Sequence, residues 1–96
     1  MPEQHIQVCN SFHANKSEQF DWHNGVTTAP TNCNISQIAG TTWPFVQASP
    51  LAVPGKAPGG GPGVLACQIQ PGLANGTYQY NVDCCTSAVG KSVTLP

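Results

Sequence analysis

Hydrophobic and polar residues alternate with a period of two in several short stretches of the chain. Residues 5–12 and 19–23 show the alternation most clearly, and their apolar positions are Ile6, Val8, Phe12, Phe20 and Trp22. Successive side chains of a β-strand point to opposite sides of a sheet, so this pattern predicts two half-buried strands. His5 and His23 fall on the polar faces of these strands.

Further short strands are predicted along the rest of the chain, at residues 33–38, 51–53, 64–70, 77–84 and 92–95. Glycine and proline separate them, with turn signals such as Asn24-Gly25 and Asn75-Gly76. No segment has the apolar spacing of a stable helix. The pattern therefore predicts an all-β, single-domain β-sandwich of about seven short strands, spanning residues 1–96.

The segment 54–63 consists almost entirely of proline and glycine and has no side chains able to build a core. Such a composition predicts a long, mobile connection between strands. A lid over a binding site is the alternative interpretation.

Charged residues make up only 7% of the chain, against about 25% in typical soluble domains, and the formal net charge is −1. Lys16, Lys56 and Lys91 are the only basic side chains besides histidine. Binding to nucleic acid requires a cluster of positive charge, so we expect no nucleic-acid partner. No apolar run reaches the length of a transmembrane helix, so no membrane span is expected. The partner expected is a protein or a small ligand of unknown identity, and the oligomeric state is left open.

Five cysteines in a domain with a thin core favour disulfide bonds and an oxidising compartment, hence a secreted, periplasmic or cell-surface protein. They are Cys9, Cys33, Cys67, Cys84 and Cys85. A zinc site would normally show Cys-x-x-Cys spacing, which is absent. Their odd number leaves at least one thiol unpaired within the chain. No apolar signal segment follows Met1, so export would imply a mature domain.

The adjacent pair Cys84-Cys85 could close into a strained redox-active ring. Neighbouring side chains of an extended strand point in opposite directions, so the preferred interpretation is two separate partners, or one bridge and one free thiol. Connectivity cannot be deduced from the residues alone.

The run Gly76-Thr77-Tyr78-x-Tyr80, followed by Cys84 and by Gly90-Lys91-x-Val93-x-Leu95, resembles the closing strands of cupredoxins. Ile6-x-Val8 and Phe20-x-Trp22-x-Asn24 are similar to strands in the first half of that family. The resemblance implies a cupredoxin-like fold, a Greek-key β-sandwich.

The same resemblance argues against the copper site of that family. Its copper-ligating cysteine is followed by a loop carrying histidine and usually methionine, whereas Thr86-Ser87-Ala88-Val89 contains neither. Cys33 stands near the position of the first histidine ligand. A type-1 copper site needs two imidazoles and a thiolate, so none is expected. The resemblance implies instead that Cys33 is bonded to Cys84 or Cys85, a covalent link between the two sheets in place of the metal.

A surface site for copper or zinc is the alternative for the histidines. Its candidate ligands are His13, His23 and Cys85, with Cys9 or Asp21 in support. No His-x-His or His-x-x-x-His spacing supports a ligand set, so scattered surface histidines are the preferred interpretation. No two carboxylates form an obvious pair, and no catalytic residues are assigned.

The preferred function is a non-enzymatic, disulfide-braced binding or structural module without a cofactor. Its partner surface would include Trp43 and the Pro/Gly loop 54–63. A copper-binding or electron-transfer protein with an atypical His/Cys site is the first alternative. A thiol redox protein using Cys84 and Cys85 is the second.

Overall fold

The computed structural model describes residues 4–86 and 90–96, and within these residues the chain is all-β, with no helix. The strands are β1 (Gln4–Gln7), β2 (Phe12–His13), β3 (Gln19–Asn24), β4 (Cys33–Ser36), β5 (Leu51–Val53), β6 (Gly63–Gln68), β7 (Gly76–Val82) and β8 (Lys91–Leu95). The predicted all-β class is confirmed, and the described residues form eight strands where about seven were expected.

The strands form two sheets, one of three strands in the order β1-β3-β6 and one of five in the order β2-β8-β7-β4-β5. Both sheets are mixed, because β1 pairs with β3 and β2 pairs with β8 in parallel while the other pairings are antiparallel. Buried side chains from both sheets belong to one hydrophobic cluster. This arrangement is compatible with a β-sandwich.

The prediction of one strand over residues 5–12 is wrong. The chain turns after β1, where the N–H of Asn10 donates to the carbonyl of Gln7 at 3.0 Å, and continues as β2 in the other sheet. Ile6, Val8 and Phe12 are nevertheless all buried. The three side chains alternate because β1 and β2 both face the same core, although the two strands belong to different sheets.

Aromatic side chains fill the centre of this core. Phe20 and Trp22 come from the three-stranded sheet, Tyr80 comes from the five-stranded sheet, and Phe45 comes from the segment between β4 and β5. All four are fully buried. Trp22 meets Phe45 and Tyr80 edge to face, with ring centroids 5.5 Å and 5.7 Å apart. This geometry is favourable for aromatic rings and ties the two sheets together.

Asn24 ends β3 with a buried side chain whose hydrogen bonds fix the following turn. Its Oδ1 accepts from the backbone N–H groups of Val26 and Thr27 at 3.0 Å and 3.1 Å. Its Nδ2 donates to Thr27 Oγ1 at 2.7 Å and to the carbonyl of Val53 at 3.2 Å. The predicted turn at Asn24-Gly25 is therefore also a link between β3 and β5.

The Pro/Gly loop 54–63 is anchored at both ends. The N–H of Lys56 donates to the carbonyl of Thr27 at 2.8 Å, and the carbonyl of Lys56 accepts from the N–H of Ala29 at 3.0 Å. At the far end, Gly63 lies so close to the carbonyl group of Pro54 that a Cβ would overlap it. Residues 56–62 between these anchors are all exposed. The predicted connection thus has two ends that pack against the rest of the domain and an exposed tip, residues 56–62, between them.

Replacing Gly63 by alanine should lower the free energy of unfolding by about 1–3 kcal/mol, because the new Cβ would displace the Pro54 backbone. Gly61 is the matched control, since nothing lies within 4 Å of the position where its Cβ would be. Gly61→Ala should be neutral or slightly stabilising through the unfolded state. Urea denaturation of both variants provides the comparison, and equal stabilities would contradict the anchored loop.

Candidate functional site

Two disulfides meet at the chain segment that follows β7. Cys85 is bonded to Cys9, which comes two residues after β1, and their Cα atoms are 5.6 Å apart. Cys84 is bonded to Cys33, the first residue of β4, with the Cα atoms 5.1 Å apart. Adjacent cysteines thus connect one short segment to two distant parts of the chain. Cys84 and Cys85 therefore have separate partners, which is one of the two arrangements preferred over a Cys84–Cys85 ring.

The bond at Cys33 does not connect the two sheets, contrary to the expectation drawn from the resemblance. β4 and β7 are neighbours in the five-stranded sheet, so Cys33–Cys84 joins two adjacent strands at their ends. The bond that reaches toward the three-stranded sheet is Cys9–Cys85, because Cys9 lies where the chain leaves β1.

Asp83 holds the end of β7 beside β4 next to these disulfides. Its carboxylate accepts from the backbone N–H of Asn34 at 2.8 Å and from Asn34 Nδ2 at 2.9 Å. The N–H of Asp83 donates to the carbonyl of Asn34 at 3.1 Å. Three hydrogen bonds between two residues therefore position the segment that carries Cys84 and Cys85.

Cys67, also a disulfide candidate, is the one unpaired cysteine, and all five cysteines lie in the described part of the chain. It faces the core from β6 and is 3% exposed. Burial raises the pKa of the Cys67 thiol to about 11. A protonated and enclosed thiol is a poor nucleophile, so Cys67 acts as a small core side chain.

Cys67 should make the protein less stable at alkaline pH. Its thiol ionises near its ordinary pKa of 9.0 when the chain is unfolded but only near 11 when it is folded. The unfolded state therefore loses its proton first, and stability falls as pH rises from about 9 to about 11. Burial also raises the pKa of Tyr80 above its ordinary value of 10.0, which acts in the same direction.

The contribution of Cys67 can be isolated by comparing the wild type with Cys67→Ala over this pH range. Unfolding free energies from urea denaturation should fall less steeply in the variant between pH 9 and pH 10, below the ordinary pKa of the Tyr80 phenol. Identical pH profiles for the two proteins would show that the thiol ionises equally in both states.

The predicted metal candidates do not come together. Cys85 Sγ is bonded to Cys9. His13 lies on β2 of the five-stranded sheet and belongs to none of the clusters of three potential metal ligands among residues 4–86 and 90–96. His23 lies on β3 of the other sheet and pairs with His5, a residue that was not among the predicted metal ligands.

His5, Asp21 and His23 form a cluster on the outer face of the three-stranded sheet. His23 Nε2 lies 2.9 Å from His5 Nδ1, and His5 Nδ1 lies 3.7 Å from Asp21 Oδ2. One nitrogen or oxygen atom from each residue falls within 4.8 Å of the others. Parallel pairing of β1 with β3, in which His5 is opposite Asp21, creates this cluster. Alternation places His5 and His23 on the polar faces of their strands, but it does not show that these two strands are neighbours in one sheet.

Trp43, the predicted partner surface, is half-buried and held by hydrogen bonds. Its Nε1 donates to the carbonyl of Gln47 at 2.7 Å, and its own carbonyl accepts from Gln70 Nε2 at 2.9 Å. The ring meets Phe45 edge to face, with centroids 5.0 Å apart. Trp43 therefore packs against the core, and its role toward a partner stays a prediction.

The turn 86–89, in which the absence of histidine and methionine was noted, lies largely outside the described residues. Only Thr86 of that turn is described. The described part of the chain contains no helix that could cross a membrane.

A scan against protein-family models, a search of curated proteins and a search of solved structures each find no match to this chain.

Proposed function

We propose that the chain is a non-enzymatic, disulfide-braced binding or structural module that works in an oxidising compartment, as a secreted, periplasmic or cell-surface domain. The observation that supports this proposal is the pairing of four of the five cysteines in two disulfides beside the end of β7. Disulfides are typical of such compartments and stabilise small domains with few charges and a thin core.

The module is cupredoxin-like and lacks type-1 copper. Its two mixed sheets and the closing motif around Cys84 support a Greek-key sandwich of that kind. A type-1 site needs a free thiolate beside two imidazoles. Here the sulfur atoms of Cys84 and Cys85 are both bonded to other cysteines, and the clusters of potential ligands that contain them include no histidine of the described residues.

A copper titration and a thiol-exchange assay separate this function from its two alternatives. Addition of Cu²⁺ should produce no intense blue thiolate–copper absorption, and the protein should not catalyse reduction of a disulfide substrate by a small thiol. A blue copper complex would support the electron-transfer alternative. Catalytic turnover lost in Cys84→Ala would support the thiol redox alternative.

The exposed tip 56–62 of the Pro/Gly loop is the surface through which the module contacts its partner. Its pinned ends limit the conformational entropy that binding must remove, while its tip stays accessible. A photoreactive amino acid at Ala57 should cross-link the partner in cells that produce the chain, whereas one at the exposed strand residue Thr77 should not. Equal cross-linking at both positions would contradict this assignment.

A further inference from the structure

We propose that His5, Asp21 and His23 form a surface binding site for a late first-row divalent cation, with Cu²⁺ bound more tightly than Zn²⁺. This site is independent of the disulfides and of the partner surface. It uses none of the cysteines, and it lies on the outer face of the three-stranded sheet.

The backbone positions all three ligands before any metal arrives. In the parallel pair, His5 is directly opposite Asp21, and His23 follows Asp21 by two positions on the same face of β3. The intervening Trp22 points the other way and is fully buried among aromatic rings, which fixes the strand. Ligands on rigid strands need little reorganisation to bind a metal.

The observed distances suit coordination by one ion. Metal–nitrogen bonds of about 2.0–2.1 Å in tetrahedral geometry place two ligand nitrogens about 3.3 Å apart. His23 Nε2 and His5 Nδ1 are 2.9 Å apart, so the two rings must separate by only about 0.4 Å. Asp21 Oδ2, at 3.7 Å from His5 Nδ1, lies near the position of a third ligand.

The cluster is exposed to solvent, so water can occupy the coordination positions of the metal that the three side chains do not fill. The His5 side chain is 58% exposed and that of Asp21 is 23% exposed. On the other side of β3, Asp21 is opposite Ala66 and His23 is opposite Val64, neither of which carries a charge. Three protein ligands with an open position are typical of accessible zinc sites.

The ligand types decide which ions bind. Two imidazoles suit copper, zinc, nickel and iron, and the carboxylate contributes a negative charge toward a divalent ion. The affinity of such a nitrogen and oxygen site rises along the first row to Cu²⁺ and falls at Zn²⁺. The site should therefore bind Cu²⁺ more tightly than Zn²⁺.

Isothermal titration calorimetry of tag-free protein with Cu²⁺ and with Zn²⁺ tests the site. We expect one equivalent of each ion, with tighter binding of Cu²⁺. His5→Ala and His23→Ala should each weaken binding by at least about tenfold, and Asp21→Asn should weaken it less because two imidazoles remain. His13→Ala is the matched control, since His13 lies on the other sheet, and it should bind like the wild type.

Electron paramagnetic resonance of the Cu²⁺ complex gives a readout that a folding defect would not mimic. The wild type should show coupling to two imidazole nitrogens, and His5→Ala should show coupling to one. Thermal unfolding of each variant in the presence of a chelator checks that the fold is retained. Absence of one-equivalent binding, or equal weakening by His13→Ala and His5→Ala, would overturn the proposal and leave His5 and His23 as a hydrogen-bonded pair.

Discussion

Replacing Cys33 and Cys84 together by alanine is expected to lower the free energy of unfolding by about 4 kcal/mol. The bond closes a loop across a sequence separation of 51 residues, and the chain-entropy relation gives about 4 kcal/mol for a loop of this size. The Cys9–Cys85 bond spans 76 residues, so Cys9→Ala with Cys85→Ala should cost slightly more. Urea denaturation followed by tryptophan fluorescence measures both.

Loss of both disulfides should cost less than the sum of the two separate losses. Cys84 and Cys85 are adjacent in the chain. Once the Cys9–Cys85 bond has formed, the shortest covalent path from Cys33 to Cys84 runs back to Cys9 and across that bond, which is only about 25 residues of chain. The second bond then removes less entropy from the unfolded chain, and the shortfall should be about 0.6 kcal/mol, since the loop that it closes is halved. A domain with a typical stability of about 5–15 kcal/mol would be mostly unfolded or marginal without both bonds.

The control for these losses is Cys67→Ala, which removes a buried cysteine without removing a disulfide. Wild-type protein treated with a reductant should lose as much stability as the variant lacking all four paired cysteines. A cost below about 1 kcal/mol for either cysteine pair would contradict the role of the disulfides as the main brace.

Tyr80→Ala and Tyr80→Phe should have very different effects on stability. Tyr80 is fully buried against Trp22 and Phe45, so truncation to alanine leaves a cavity and should cost about 3–5 kcal/mol. Its hydroxyl is enclosed and has no hydrogen-bond partner among the described residues. Removing an unsatisfied buried hydroxyl relieves its desolvation cost, so Tyr80→Phe should be neutral or stabilising by up to about 1 kcal/mol.

Both Tyr80 variants can be compared with the wild type by urea denaturation at neutral pH. Tyr78→Phe serves as the control, because the Tyr78 hydroxyl donates to the carbonyl of Ala74 at 2.6 Å and its loss should be unfavourable. Destabilisation by Tyr80→Phe of more than about 1 kcal/mol would indicate that the Tyr80 hydroxyl is satisfied after all.

Alternation along the chain predicted the strands and their buried faces well. Trp22, Tyr80 and Val93 all lie inward, as their positions required. The pattern failed between Val8 and Phe12, where the chain passes from one sheet to the other. Both sheets face one core, so a segment that switches sheets keeps the same alternation, and the sequence carries no signal that separates the two situations.

The candidate site was predictable only in part, because long-range pairing determines it. The adjacency of Cys84 and Cys85 argued against a bond between them for a local geometric reason, but it did not distinguish two separate partners from one bridge and one free thiol. The parallel register that brings His5 to Asp21 depends on contacts between strands separated in sequence, which no local spacing encodes. For the same reason His13 was grouped with His23, although they lie on different sheets.

The most direct test of the disulfide brace is a non-reducing tryptic digest of native protein after alkylation of free thiols, analysed by mass spectrometry. Cleavage after Lys16, Lys56 and Lys91 places Cys9 and Cys33 on separate peptides and the other three cysteines on a third. We expect the three peptides to remain linked as one species, with fragmentation assigning Cys9 to Cys85 and Cys33 to Cys84. After unfolding, only Cys67 should react with the alkylating agent. Release of the third peptide with a Cys84–Cys85 ring, or alkylation of Cys33, would contradict the account.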